Sequence, residues 1–420
     1  MSALAPRQLA ELAHENDSKI VLLVLDGVGD LRTAAQPQTA LEAAKKPNLD
    51  ALARGGSLGR IVPVAYGVTP GSGPGHLALF GYDPLSPEGD IGRGVLEALG
   101  AGVEVLPGDV VARGNFATAD AQGNLTDRRA GRIPSDESRV IVERLQRALD
   151  PQSHPEAQLG DVQAELTPGE GHRFVLRLRG PGLSPEVTDT DPQELGVPAL
   201  PPRASAPAGE NTAALVTRLV EALDRELAAE PKANRALLRG FSSLPHLPPM
   251  TELYGLRCGC FAGYPLYRGV ASACGMTVVP CGKHIGDIVS TVASRWADFD
   301  FFFLHVKQTD QAGEDGNLPQ KVAAIEEVDA ALPALLALGP DVVAVTGDHS
   351  TPAPMRAHSF HPVPLLVAGP HGHGRDTVFA DPCDRFDEVA ATCGHLGTFP
   401  SRALLALLLA HAGRLQKFGA

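Results

Sequence analysis

Ser72 lies in Val68-Thr69-Pro70-Gly71-Ser72-Gly73-Pro74-Gly75-His76, a run with almost no side chain large enough to pack a core, followed by an apolar segment, Leu77 to Phe80. Such a run brings a hydroxyl and several backbone N–H groups close to something small and anionic, then opens a helix. Ser72 is therefore a candidate nucleophile; the plainer reading is a helix cap in a Gly-Pro turn. Far downstream stands Thr346-Gly347-Asp348-His349-Ser350. Other carboxylates and imidazoles also flank apolar runs. Asp26 follows Lys19 to Leu25; Asp310, Glu314 and Asp315 follow Phe301 to Val306; His358 and His361 precede Pro364. These are ligand types for Mg²⁺, Mn²⁺ or Zn²⁺. Taken singly, Asp26 reads equally well as a turn residue, Asp315 as a turn before Gly316 and His361 as a loop histidine. Their convergence on one sheet edge is what points to a metal site. A divalent cation on Ser72 Oγ would lower the hydroxyl's pKa and orient it for in-line attack on phosphorus.

The elements that must hold these groups are apolar runs ending in polar residues. Lys19 to Leu25, Gly59 to Val64, Asp298 to Val306, Asp341 to Thr346 and Pro364 to Ala368 read as strands, several of them buried on both faces. Thr39 to Gly55 reads as a helix interrupted at Pro47, and Leu318 to Leu338 and Ser401 to Ala412 as further helices. The pattern predicts an α/β fold, a mostly parallel sheet flanked by helices on both faces. Ligands in such sheets bind at the carboxyl ends of the strands. Between residues 104 and 254 the character changes. Short strands (Val110 to Phe116, His172 to Arg179) alternate with helices (Asp136 to Leu149, Asn211 to Ala229) around a Pro- and Gly-rich passage, Gly180 to Gly209. This predicts a smaller α+β domain at 104–254, inserted into a discontinuous domain of 1–103 and 255–420.

The chain has 420 residues, a net charge of −13 and a pI near 5.5, so no basic excess is available to neutralise nucleic-acid phosphates. A small anionic substrate is still compatible, because arginines or metal ions can supply local positive charge. Met1 to Lys19 carries Arg7, Glu11, Glu15 and Asp17 and lacks the apolar core of a signal peptide. The apolar run Ala403 to Ala410 is too short to span a bilayer, and the expectation is a cytoplasmic protein with no membrane partner. Six cysteines do not suggest a disulfide framework; Cys258-Gly259-Cys260 is a lone C-x-C, either buried thiols or a metal or redox pair. Nothing in the sequence sets the oligomeric state.

Read together, the motifs resemble the alkaline phosphatase superfamily, and within it the cofactor-independent phosphoglycerate mutases of the archaeal type. The matching segments include Leu25-Asp26-Gly27-Val28-Gly29-Asp30, Thr69-Pro70-Gly71-Ser72, Gly92-Arg93-Gly94, Arg113-Gly114-Asn115-Phe116, Asp127-Arg128-Arg129-Ala130-Gly131-Arg132, Thr309-Asp310 and Gly347-Asp348-His349-Ser350-Thr351-Pro352, with His358-Ser359 completing the series. They run in order from about residue 20 to 400. The resemblance implies an alkaline-phosphatase-like fold and interconversion of 3-phosphoglycerate and 2-phosphoglycerate in glycolysis, through a phosphoserine at Ser72. It implies one metal held by Asp26, Ser72, Asp348 and His349, and another held by Asp310, Glu314 and His358. It also implies an inserted domain that clamps the glycerate, with Asn115, Arg128, Arg129 and Arg132 as candidates and Arg268, Arg235 and Arg239 behind them. Arginine suits this role because its fork binds carboxylate and phosphate bidentately.

One position departs from the pattern. The family usually has histidine four residues after the aspartate, and here that residue is Glu314. A carboxylate in place of a neutral imidazole favours harder ions, so the expected pair is Mn²⁺, with Mg²⁺ or Zn²⁺ as alternatives. The alternative function is a metal-dependent phosphatase or phosphotransferase acting on another small phosphorylated metabolite.

Overall fold

The computed structural model describes residues 4–86, 89, 91–149, 159–244, 247–369 and 380–419. In chain order its strands are β1 Ile20–Leu25, β2 Ser57–Val62, β3 Val110–Ala119, β4 Leu125–Asp127, β5 Gln163–Pro168, β6 Arg173–Arg179, β7 Arg235–Ser242, β8 Cys258–Ala262, β9 Thr277–Val278, β10 Phe301–Val306, β11 Val342–Thr346, β12 Val363–Ala368 and β13 Gly397–Pro400. The chain divides into two compact units, Met1–Asp90 with Leu247–Ala420, and Ile91–His246. The second unit thus begins ahead of residue 104, because the helix Arg93–Gly100 packs on β3 and β7. The helix Met250–Tyr254, expected in the insertion, belongs to the first unit.

The first unit is built on a sheet of order β13-β2-β12-β11-β1-β10-β8-β9. Every neighbouring pair is parallel except the two made by β12. The sheet is therefore mostly parallel, as expected, with one reversed strand. The central strands β1, β10 and β11 are buried along their whole length, which is why they read as unbroken apolar runs. The register pairs Leu25 with Val306 and Val24 with Thr346, so the three strands end side by side. That alone brings Asp26, Lys307 and Gly347-Asp348 to one sheet edge. Because β12 runs the other way, its first residue reaches the same edge and delivers the segment holding His358 there. The run Thr39 to Gly55 becomes two helices, Ala40–Ala43, capped by Thr39, and Pro47–Arg54, with proline at the first turn of the second. Cys258 and Cys260 are free, buried thiols on β8, whose burial pushes both pKa values up; among the described residues neither belongs to a cluster with metal-binding geometry.

The second unit is an antiparallel sheet in which β5, β6, β3 and β7 are neighbours and β4 pairs the far end of β3. Two amphipathic helices, Ser135–Ala148 and Glu210–Leu227, cover it. Their stripes at four-residue spacing (Ile141 and Leu145; Leu215, Leu219, Leu223 and Leu227) share one core with Phe116, Phe174, Leu176 and Leu238.

Candidate active site

Ser72 is the first residue of the helix Ser72–Leu79, after Gly71 as N-cap. The helix passes so close to β11's following loop that a Cβ on Gly75 would stand 2.6 Å from the Asp348 carbonyl oxygen, which explains a glycine inside the helix. This approach puts Ser72 Oγ 3.3 Å from His349 Nε2. The same ring nitrogen lies 3.3 Å from Asp26 Oδ1 and 3.3 Å from Asp348 Oδ2. Asp26, Asp348 and His349 are essentially inaccessible to solvent, whereas Ser72 keeps 9% exposure. These three residues form a group with geometry suited to a metal ion.

A second such group is Asp310, His349 and His358. The structure therefore places His349 in both groups, with its ring stacked on His358 at 3.7 Å between centroids. Glu314 stands apart from both. Its Oε1 is 3.7 Å from His358 Nε2 and its side chain is 53% exposed. It rims the second group, where the resemblance implied a ligand. His361 bonds the Ser359 hydroxyl and is in neither group.

Several participants escaped the reading of the sequence. Lys307, two residues beyond His305, places Nζ 2.6 Å from Asp310 Oδ2 and 3.1 Å from Asp26 Oδ2. Burial would push the Asp26 carboxyl up, but the Lys307 ammonium, the His305 hydrogen bond and His349 together hold it well below the usual range. His305 donates from Nε2 to Asp26 Oδ2 at 3.1 Å, since a carboxylate oxygen only accepts. His76 donates from Nδ1 to the Ser72 carbonyl at 2.8 Å and lies 3.2 Å from Asp348 Oδ2. Tyr267 stacks on His305 at 3.6 Å between centroids. The available signal was an imidazole inside an otherwise apolar strand and a lysine just past its end.

The residues fit divalent cations. Among the described residues, Asp26 Oδ1 and Asp348 Oδ2 are buried oxygens without a hydrogen-bond partner, and both face His349 Nε2. An ionised carboxylate oxygen left so is costly, and a cation removes that cost.

The second unit carries a separate polar centre, a cavity of roughly 520 Å³ lined by Arg113, Asn115, Arg128, Arg129, Arg132, Glu170, Gly171, His172, Arg173 and Arg239. The turn that supplies it is strained: Ala130, Gly131 and Arg132 have φ of 48°, 64° and 54°. Left-handed backbone costs a residue with a side chain about 1 kcal/mol or more. Asp127 holds the turn by accepting from Arg129 N at 2.8 Å and Gly131 N at 2.7 Å. Arg129 and Arg132 have no carboxylate partner among the described residues. Arg128 does: its Nε and Nη2 donate to Asp191 at 2.7 Å each and its Nη1 to the Gln193 carbonyl at 3.0 Å. Arg239 also pairs with Asp191, and Arg235 with Asp224. Arg113 is pulled down to about 10 by burial, and its Nε donates to Asn115 Oδ1. Arg268 is not part of this cavity; it lies on the helix Pro265–Ala273 of the first unit, with Nε buried and without a hydrogen-bond partner among the described residues.

Residues 53–233 match the family model described as 2,3-bisphosphoglycerate-independent phosphoglycerate mutase. A protein of Thermotoga neapolitana named for that activity is 47% identical over 98% of both chains, and one of Thermus thermophilus is 48% identical over 98% of both. Among solved structures, a Pyrococcus horikoshii protein matches with a TM-score of 0.78 at 29% identity, over 97% of this chain and 100% of its own. The cofactor-independent phosphoglycerate mutase of Thermoplasma acidophilum matches with a TM-score of 0.69 at 29% identity, over 94% of this chain and 100% of its own.

Proposed function

Since the chain belongs to the 2,3-bisphosphoglycerate-independent phosphoglycerate mutase family, we propose that it interconverts 3-phosphoglycerate and 2-phosphoglycerate with Ser72 as the transient phosphoryl carrier. The observation that carries this reading is the placement of Ser72 Oγ, at a helix N-terminus and 3.3 Å from His349 Nε2. The N–H groups of that first turn are oriented for phosphate oxygens. Ser72 takes the phosphoryl group from one hydroxyl of the glycerate and returns it to the other, so the net reaction needs no water and no second phosphorylated compound.

Asp26, Asp348 and His349 would hold one divalent cation, and Asp310 and His358 would contribute to a second, which Glu314 faces through His358. When bound, such ions lower the pKa of a coordinated hydroxyl and offset charge on the transferring phosphoryl group. Carboxylates dominate this donor set, which favours Mn²⁺ or Mg²⁺ over Zn²⁺. Lys307 holds Asp26 and Asp310 in place and adds positive charge beside them. In the second unit, Arg129, Arg132, Arg113 and Asn115 clamp the glycerate, a role that divides the chain into a catalytic part and an inserted substrate-binding part. The protein acts in the cytoplasm.

An enolase-coupled assay on chelator-stripped protein, with single metals added back, tests the proposal. The expected result is no turnover without metal and recovery with Mn²⁺. Release of inorganic phosphate from several esters, faster than isomerisation, would favour the phosphatase reading instead.

A further inference from the structure

Two loops and the helix Gln308–Glu314 meet behind the two carboxylate–histidine groups, and one residue, Thr351, joins them. Thr351 is fully buried. Its Oγ1 is 2.5 Å from Asp310 Oδ1 and 3.0 Å from His349 Nδ1. A carboxylate oxygen can only accept, so the single hydroxyl proton goes to Asp310. The hydroxyl must then accept from His349, which makes Nδ1 the protonated nitrogen. The lone pair of the neutral ring is left on Nε2, the atom that faces Ser72 Oγ, Asp26 Oδ1 and Asp348 Oδ2.

The backbone of Thr351 is fixed as tightly as its side chain. Its N–H lies 3.1 Å from both the Gly27 and the Gly29 carbonyl oxygens. Beneath this joint is Lys321, an inaccessible lysine on the helix Leu318–Leu336. Its Nζ donates to the carbonyls of Gly27 at 2.9 Å, Gly29 at 3.2 Å and Thr351 at 2.8 Å, one acceptor for each ammonium proton. Gly27 has φ +61°, and a Cβ there would run into the Thr351 hydroxyl, so the close approach needs glycine. The loop after β1, which carries Asp26, and the loop after β11, which carries Asp348 and His349, are thus strapped together by one cation, and Thr351 extends the strap to Asp310.

We propose that Thr351, seated by Lys321, is a positioning residue that fixes His349 as its Nδ1–H tautomer and couples the Asp26–Asp348 group to Asp310. The inference rests on the metal reading of the site. Hydrogen bonds to the far side of a ligating histidine set ring orientation and basicity, and their removal typically costs metal affinity.

The test is Mn²⁺ titration of chelator-stripped protein, read by the electron paramagnetic resonance of free Mn²⁺, for wild type, Thr351→Val, Thr351→Ala and Thr351→Ser. Valine keeps the shape and removes the hydroxyl; serine keeps the hydroxyl. Thr351→Val should bind Mn²⁺ about 10- to 100-fold more weakly, with Thr351→Ser within about threefold of wild type. Melting of the metal-free proteins gives the control, since a residue that serves packing alone would lower affinity only in step with stability. Should Thr351→Val not fold, Thr351→Ala against Thr351→Ser makes the same comparison. Wild-type affinity in the hydroxyl-free variants, or equal loss in the serine variant, overturns the inference. Failure of the wild type to bind Mn²⁺ overturns the metal reading, and this inference with it.

Discussion

Around Ser72 the protein buries carboxylates and histidines until oxygens are left without partners; in the second unit it gathers arginines along an open cavity. The first centre is anionic and calls for cations. The second is cationic and calls for anions. The loops of the first are fixed by strand register and by Lys321, whereas the second depends on a left-handed turn pinned by Asp127. A net charge of −13 reveals neither, because each is a local arrangement. Under the proposed function the two centres divide the labour, with phosphoryl chemistry assigned to the first and recognition of anionic substrate groups to the second.

The largest effect that could break this division is at Ser72. Ser72→Ala should lower kcat by at least about 10⁴-fold, the scale of removing a nucleophile, while Mn²⁺ titration and melting still show a folded, metal-binding protein. Residual turnover near wild type would remove Ser72 from the chemistry. Next come Arg129→Ala and Arg132→Ala. Each loses a charge-assisted contact, and kcat/KM should fall about 10- to 100-fold through KM, with Mn²⁺ affinity unchanged. Arg128 sharpens the comparison within the cavity. Its fork is held by Asp191, so Arg128→Ala should chiefly cost stability, about 1–3 kcal/mol in denaturant unfolding, with a smaller effect on KM than its neighbours. The smallest effect concerns pH. Burial, together with Arg173, Arg113 and Arg129, pulls His172 down to about 4. The unfolded chain protonates this histidine near the ordinary value of about 6.5, so it binds more protons between those values. His172 thus favours the folded state above about pH 6.5, and that contribution is lost as pH falls through 4. Unfolding at pH 7 and pH 5 should show His172→Gln losing about 1 kcal/mol less stability on acidification than wild type, after allowance for solvent screening.

The sheet of the first unit was legible because fully buried strands leave unbroken apolar runs, and a polar residue after such a run marks a strand end. That logic reached Asp26, Asp348 and Asp310. It gave no direction for β12, whose apolar run looks the same in either orientation, and it passed over β8, where Cys258-Gly259-Cys260 drew attention as thiols. The groups around the carboxylates were harder to see. His305 and Lys321 read as ordinary members of a strand and a helix until the fold brings them against Asp26 and the Gly27–Gly29 carbonyls. The run Asp127 to Arg132 was visible as a cluster of arginines. Which guanidinium is held by Asp191 and which faces the cavity depends on a contact some 60 residues away in sequence, with no local signature.

The most direct measurement is peptide mass spectrometry of protein mixed with 3-phosphoglycerate and Mn²⁺ and quenched in acid during turnover. The expected result is a phosphoryl group on Ser72, absent when Mn²⁺ is omitted and absent from Ser72→Ala. Phosphate on another residue, or rapid isomerisation by Ser72→Ala, would contradict it.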